Sequence, residues 1–142
     1  MALIAEQITS FLEQRHVPHS HEDDNIWYSE LTAGDETHEF FIHLDLEQGW
    51  VYLTVNPFVP TPEPDCLDNV ARHLARLNFD VTLAKFVIDD EGDVALTVEL
   101  PIEDLALTHL ATAITALGNA AGENYDEVLN LAQDETAISS YW

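Results

Sequence analysis

Residues 81–117 read VTLAKFVIDDEGDVALTVELPIEDLALTHLATAITAL and contain, in direct succession, the patterns of two strands and a helix. Over residues 93–100 apolar and polar side chains alternate, which predicts a strand with one buried face and one wet face. Gly92, in the turn DDEGD, supplies the positive φ that such a turn commonly needs. Pro101 ends the second strand but tolerates a helix start, so a helix is predicted from about Glu103. The stretch therefore predicts a β-hairpin followed directly by a helix.

Upstream of this stretch the sequence predicts two further helices and three further strands. The helices cover residues 3–15 and about residues 61–78, because apolar side chains recur at helical spacing in both. Strands with alternating apolar side chains are predicted at residues 26–32, 38–46 and 50–55. Between these elements lie a polar loop, HSHEDDN at residues 19–25, and a stiff, proline-rich connector at residues 56–65.

The predicted order is helix, three strands, helix, two strands, helix. This order indicates the α+β fold class, with an antiparallel sheet of about five strands and helices on one face. We expect a single domain spanning residues 1–142. Gly118 and Gly122 weaken the last helix, so the segment from Tyr125 is either its continuation or a separate helix. The tail, residues 133–142, is expected to be loose apart from an anchor at Trp142.

The charge of the chain restricts the partners it can bind. It has 27 Asp and Glu against 4 Lys and Arg, a formal net charge of −23. Nucleic-acid binding needs several basic side chains on phosphates, and anionic lipid head groups would repel this chain. We therefore expect neither nucleic acid nor a membrane as partner. The lack of an apolar run of ~20 residues and the single cysteine, Cys66, together predict a cytoplasmic protein.

Aromatic side chains on the second and third predicted strands form the candidate binding surface. If the aliphatic side chains of these strands meet the helices, then Phe41, His43, Trp50 and Tyr52 lie on the opposite face of the sheet. These side chains could simply pair with one another across a half-wet sheet. Alternatively they form a partner-binding or dimer surface, because exposed apolar patches tend to mark contacts.

A cluster of histidines and carboxylates in the 16–24 loop is the candidate ligand site. It consists of His16, His19, His21, Glu22, Asp23 and Asp24. Imidazole and carboxylate groups together can hold a divalent transition metal. A stable metal site needs three or four ligands held in place by further contacts, and a polar loop provides little such support. A solvated loop is therefore the main interpretation, and a metal or small-ligand site is the alternative.

The sequence contains no motif of a common enzyme class. There is no nucleophile elbow, no glycine-rich dinucleotide or phosphate loop, and no HExxH motif. Paired carboxylates are not evidence for a hydrolase here, because they are frequent in a chain this acidic. We therefore expect neither catalytic residues nor a cofactor, and the chain is predicted not to be an enzyme.

The order of elements resembles the type III secretion chaperone-like fold, and in particular the YbjN family. The likeness rests on the middle strand FFIHLDL, the block FVIDDEGDVALTVELP followed by a helix, and the apolar positions of the first helix, Ile4, Ile8, Phe11 and Leu12. The resemblance implies a homodimer that holds a partly unfolded segment of a client protein. The Pro-rich connector at residues 57–64 departs from the family pattern.

From these patterns we expect a non-catalytic protein-binding module of chaperone-like fold, acting as a chaperone, adaptor or regulator. The expected partner is another protein. The negative electrostatic potential of the chain favours a basic partner. The alternative is a small-ligand or metal-binding accessory protein that uses the 16–24 loop.

Overall fold

The structure, a computed structural model, describes the backbone of residues 2–142 and their side chains except at residues 2–4 and 22. These residues form three α-helices and six strands, with one short 3-10 turn at Pro64–Cys66. In chain order they are α1 (Ala2–Gln14), β1 (His19–Asp23), β2 (Ile26–Ala33), β3 (Glu36–Asp45), β4 (Trp50–Val59), α2 (Leu67–Asp80), β5 (Lys85–Ile88), β6 (Val94–Pro101) and α3 (Leu107–Gln133).

All six strands belong to one antiparallel sheet with the spatial order β1-β2-β3-β4-β6-β5. The first four strands form a meander, and β5 and β6 form a hairpin. After β4 the chain crosses through α2 to the far edge, and β6 then returns to pair with β4. The predicted α+β class is therefore confirmed, with six strands where about five were expected.

The additional strand is β1, which replaces the polar loop predicted at residues 19–25. His19 pairs with Ser29 and Ser20 pairs with Tyr28, before the register shifts ahead of Asp23. The His21 ring stacks on the indole of Trp27, with ring centroids 4.7 Å apart. The prediction was wrong here because β1 is a short edge strand without apolar alternation. Its polar side chains carry no periodic signal.

One face of the sheet and the three helices enclose the hydrophobic core. Along β3 and β4 the buried positions alternate with more exposed ones, as predicted. The largest fully buried side chains come from helices and strands alike: Ile8, Leu12, Trp27, Ile42, Leu53, Leu96, Leu110 and Leu117. Ile4, which the helical pattern placed on the same apolar side of α1, lies outside the described side chains. The Trp27 indole donates a hydrogen bond to the Thr9 hydroxyl at 2.9 Å, which ties α1 to β2.

The hairpin turn of the opening stretch has the predicted geometry. Gly92 has a φ of +91°, a conformation that favours glycine. The Asp89 carboxylate accepts hydrogen bonds from the backbone N–H groups of Glu91 and Asp93, each at 2.9 Å. Asn56 donates a further bond to Asp89 at 3.0 Å, and this bond is the main cause that lowers the pKa of that carboxyl. The acidic turn is therefore held by the side chain of Asp89 and by a hydrogen bond from β4.

The third helix is continuous, which decides between the two alternatives left by the sequence. It begins at Leu107, later than expected, and passes through Gly118 and Gly122 to Gln133. At Gly122 a Cβ atom would lie 3.4 Å from the Cβ of Ala33. The glycine therefore allows α3 to pass close to the end of β2.

The residues after α3 fold back onto α2, where a loose tail was expected. Ser139 is only 1% exposed and contacts His73 on α2. The Asn69 side chain donates a hydrogen bond to the Ala137 carbonyl at 3.1 Å, and the Glu127 carboxylate accepts two bonds from Ser140. Trp142, the one anchor expected from the sequence, lies against Arg72.

Candidate functional site

The face of the sheet that points away from the helices is open to solvent. Its side chains lie in rows across the strands, because directly opposed residues in an antiparallel sheet share a face. The central row runs from Ser20 through Tyr28, Phe41, Thr54 and Thr97 to Lys85. The next row contains Ile26, His43, Tyr52 and Glu99, and the one after it Asp45, Trp50 and Pro101. We call this surface the outer face.

Five rings on three adjacent strands form a diagonal across the outer face, which we call the aromatic strip: Tyr28, Phe41, His43, Tyr52 and Trp50. Tyr28 and Phe41 are directly opposed, with ring centroids 6.4 Å apart. His43 and Tyr52 are opposed in the next row, at 5.9 Å. Tyr28 is 47% exposed and Trp50 is 40% exposed, so the two ends of the strip are the most accessible.

The structure brings the four residues predicted from the sequence, Phe41, His43, Trp50 and Tyr52, onto one surface. Whether this surface binds a partner stays a prediction. The sequence interpretation omitted Tyr28, although the alternation in IWYSELT, residues 26–32, contains the necessary signal. Trp27 is fully buried, so its neighbour in a strand must point to the other side.

Carboxylates border the aromatic strip. Glu30 and Glu39 are directly opposed, two residues beyond the Tyr28 and Phe41 pair along each strand, and both are exposed. At the other end of the strip Asp45 is opposite Trp50. Glu99 forms a salt bridge with Lys85 at 2.8 Å. The outer face therefore combines exposed rings with negative charge.

The predicted histidine cluster is dispersed in the structure. The His19 ring forms a hydrogen bond with the Val17 carbonyl, and the His21 ring one with the Asp24 carbonyl, each at 3.0 Å. Among residues 5–21 and 23–142, no three His, Cys, Asp or Glu side chains are grouped as metal ligands. A cleft of about 720 Å³ does lie beside His21 and Asp24, between α1, β1 and the turn that follows β1.

A buried histidine joins the C-terminal tail to α2. His73 is 1% exposed, and its Nδ1 lies 2.7 Å from the Ser139 hydroxyl oxygen. The same oxygen accepts a hydrogen bond from the Tyr141 N–H at 3.1 Å, so the hydroxyl can donate to His73. Nε2 of His73 lies 3.6 Å from the Glu127 carboxylate, beyond hydrogen-bond distance. Burial lowers the pKa of His73, and Glu127 opposes this effect.

These groups have the residue types of a Ser-His-Glu triad but not the required access. Ser139 is also 1% exposed, and its hydroxyl oxygen lies between the His73 ring and the Tyr141 amide. A serine nucleophile must reach its substrate. The contacts of Ser139 in this structure therefore account for tail attachment and not for nucleophilic chemistry.

Arginine side chains cover the remaining rings of the tail. The guanidinium carbon of Arg72 lies 4.6 Å from the centre of the Trp142 ring. Arg76 lies 4.7 Å from the Tyr141 ring and forms a salt bridge with Asp80 at 3.1 Å. Tyr141 itself donates a hydrogen bond to Asp80 at 3.3 Å. Each of these rings therefore contacts a cation from the same chain.

Comparison with known proteins places the chain in a family. Residues 5–130 match the model of the YbjN family, which is described as "Putative bacterial sensory transduction regulator". The chain therefore belongs to the YbjN family, as the sequence patterns indicated. No curated protein sequence matches the chain.

Solved structures share the fold at low sequence identity. A chain of the ExsC–ExsE complex matches at 17% identity with a TM-score of 0.59, covering 89% of this protein and 94% of that chain. A chain of the heterodimeric ExoU–SpcU complex, from the type III secretion system of Pseudomonas aeruginosa, matches at 21% identity and 0.57, covering 87% and 95%. A chain of the HopA1–SchA chaperone–effector complex matches at 12% and 0.58, covering 82% and 88%. The fold is therefore the type III secretion chaperone-like fold.

None of the helices in residues 2–142 has an apolar segment long enough to cross a bilayer.

Proposed function

We propose that this YbjN-family chain is a non-catalytic protein-binding module that holds another protein against the outer face of its sheet. The observation that carries the proposal is the aromatic strip. None of the three helices described for residues 2–142 covers it, whereas the other face of the same sheet is packed against the core. Exposed rings of this kind tend to mark contact sites, and tyrosine and tryptophan are enriched at the centres of interfaces.

The fold comparisons support a protein as the partner. The matched chains of the ExsC–ExsE, ExoU–SpcU and HopA1–SchA structures were all determined in complexes between proteins. We propose the same type of activity here, as a chaperone, adaptor or regulator acting in the cytoplasm. The partner itself is to be identified by experiment.

Affinity capture with matched variants tests the proposal. The tagged chain would be incubated with lysate of its own source, and the bound proteins identified by mass spectrometry. Trp50→Ser with Tyr52→Ser removes rings from the aromatic strip. Phe79→Ser with Ile138→Ser removes side chains that are 85% and 76% exposed on α2 and the tail. We expect the first pair to lose the partner and the second to retain it.

The opposite pattern would move the binding surface to α2 and the tail. Retention of the partner by both variants would reject Trp50 and Tyr52 as contact residues, provided that circular dichroism shows both variants to be folded.

We also propose that the chain forms a homodimer, which light scattering of the purified protein tests directly. If dimerisation used the outer face, Trp50→Ser with Tyr52→Ser would produce a monomer. An unchanged dimer in that variant would leave the face free for the partner. A wild-type protein that is monomeric at all accessible concentrations would contradict the dimer.

A second candidate function uses the cleft beside β1. The cleft is lined by His21, Asp24 and Asn25 together with Thr9 and Ser10 of α1, so it offers several hydrogen-bonding groups to a small polar ligand. Metal analysis of the purified protein and titration with Zn²⁺, followed by NMR shifts of His21, test this alternative. Near-stoichiometric metal that is lost in His21→Ala would favour it, and no metal and no shift would reject the metal-binding form.

A further inference from the structure

The opposed carboxylates of Glu30 and Glu39 are a feature that folding does not explain. Like charges directly opposite each other in an antiparallel pair are destabilising. Both side chains are exposed, and neither takes part in a salt bridge among the side chains that the structure describes. This end of the outer face therefore has a concentrated negative charge, and no lysine or arginine of the described part of the chain pairs with it.

The rings of Tyr28 and Phe41 border the same place. They occupy the neighbouring row of the outer face, two residues along β2 and β3 from the carboxylates. Side chains in adjacent rows are roughly 7 Å apart, within reach of long or aromatic groups. The faces of such rings attract cations electrostatically. The carboxylates and the rings are therefore arranged around one position where a cation would contact both.

The protein contains an example of this combination on α2. There Arg76 lies over the Tyr141 ring at 4.7 Å and forms a salt bridge with Asp80 at 3.1 Å, while Tyr141 donates to the same carboxylate. One guanidinium thus contacts a ring and a carboxylate at the same time. The end of the outer face has the ring and two carboxylates, and lacks only the guanidinium.

We propose that Glu30 and Glu39, with Tyr28 and Phe41, bind an arginine side chain from an extended, basic segment of the partner protein. This inference rests on the proposed function and specifies the chemistry of its partner. Arginine fits better than lysine because its planar guanidinium can bind two carboxylates through a fork of N–H donors while its flat face stacks on a ring.

A second copy of this chain is a poor source of that arginine. Each copy has a formal net charge of −23, so two acidic sheet faces repel each other. All four of its basic side chains already contact rings or carboxylates of their own chain. Arg72, Arg76 and Lys85 do so as described above, and Arg15 lies 4.8 Å from the Phe11 ring centre. The geometry therefore points to a different, basic protein.

Defined peptides test the proposal. The probe is a fluorescein-labelled peptide of alternating serine and arginine, which in an extended conformation presents its arginines on one side. The comparison peptide has lysine in place of every arginine. Fluorescence anisotropy at low ionic strength, where exposed charges are screened least, measures both affinities. We expect the arginine peptide to bind several-fold more tightly than the lysine peptide.

A pair of charge-matched variants locates the site. Glu30→Gln with Glu39→Gln removes both carboxylates and should weaken the arginine peptide about tenfold, the combined effect of two exposed ion pairs. Glu13→Gln with Glu135→Gln makes the same change in net charge at exposed positions on α1 and the tail. It should weaken binding less than about twofold, through the general field alone. Because Glu30→Gln relieves a repulsion, the urea midpoint of the first variant should not fall.

Equal weakening in both double variants would overturn the proposal, because the peptide would then respond only to net charge. Equal affinity for the lysine peptide would overturn the role of the guanidinium. Both results are independent of the capture experiment. A natural partner that is lost with Trp50→Ser and Tyr52→Ser but binds Glu30→Gln with Glu39→Gln normally would retain the proposed function and reject the arginine site.

Discussion

The tail-covered surface of α2 and the outer face of the sheet use similar residues in opposite ways. Both carry aromatic side chains next to charged groups. On α2 the rings of Tyr141 and Trp142 each lie against an arginine of the same chain. On the outer face the aromatic strip lies among carboxylates, and its one basic neighbour, Lys85, is paired with Glu99 in a strand outside the strip.

The difference shows what four cations can do in a chain with 27 acidic residues. Where an arginine is present, as on α2, the neighbouring aromatic and acidic side chains contact it within the molecule. Where they are missing, the same types of group stay exposed. The α2 surface is therefore expected to contribute to stability, and the outer face to contribute to binding with little effect on stability.

The largest expected effect is on the buried contact between α2 and the tail. His73→Ala removes the hydrogen bond to Ser139 and leaves a cavity between α2 and α3, which should lower the free energy of unfolding by about 3 kcal/mol. The matched control is His43→Ala on the outer face, where a loss below about 1 kcal/mol is expected. Urea denaturation measures both. Equal losses would remove the distinction between the two surfaces.

Acidification should lower the stability of the folded chain without any substitution, through His73 in the same contact and through the buried His38 on β3. Burial is the main cause that lowers the pKa of both His73 and His38 below the ordinary value of 6.5. Well above pH 6.5 both are neutral whether the chain is folded or unfolded, and their contribution is complete. As the pH falls from 6.5 through the folded-state pKa, the unfolded chain binds protons first and stability is lost.

The control for this effect is the pH dependence of His73→Ala. The decrease in urea midpoint below pH 6.5 should be smaller in His73→Ala than in the unsubstituted protein. Protonation of carboxylates acts on both proteins alike and relieves their repulsion. A wild-type midpoint that does not decrease between pH 6.5 and the onset of carboxylate titration would contradict the prediction.

A smaller effect is expected from the exposed part of the α2 surface. Arg76→Ala removes the contact with the Tyr141 ring and the salt bridge to Asp80, which together should contribute about 1 kcal/mol. Lys85→Ala on the outer face removes a salt bridge of similar exposure but no ring contact, and should cost at most about 0.5 kcal/mol. If urea denaturation shows Lys85→Ala to be the more destabilising of the two, the stabilisation assigned to the ring contact is wrong.

The smallest effect should come from the aromatic strip itself. Trp50→Ser should change the free energy of unfolding by no more than about 0.5 kcal/mol, because the side chain is 40% exposed and packs on one side only. Thermal and urea denaturation would both measure this. A loss above about 2 kcal/mol would mean that Trp50 supports the fold. Loss of the partner in the capture experiment would then report unfolding and not loss of a contact.

Much of the sheet could be predicted because its information is local. Alternation in residues 93–100 and 50–55 identified both the strands and the direction of each side chain, and Gly92 marked the turn. Alternation in residues 38–46 and 50–55 placed Phe41 and Tyr52 on one face. The edge strand β1 was missed because its contacts with β2 use polar side chains and backbone groups, which have no apolar period.

The attachment of the tail could not be predicted for a different reason. His73 and Ser139 are 66 positions apart, and neither lies in a motif that indicates the other. A single polar contact over such a distance leaves no pattern in one sequence. The pair of Glu30 and Glu39 depends in the same way on the register of β2 against β3. One residue of slip would turn every side chain of a strand to the other face.

The two edges of the sheet, described above only as the places where pairing ends, determine how another chain can approach. β1 has five residues, an irregular register and an acidic sequence, and β5 has only four residues. Short, charged and irregular edges discourage the addition of a further strand, which is the route to uncontrolled aggregation. These edges therefore favour side-chain recognition across the broad surface, and not backbone pairing at the rim, as the way in which another chain would bind. Contacts of that kind discriminate between sequences, whereas backbone pairing accepts any extended chain.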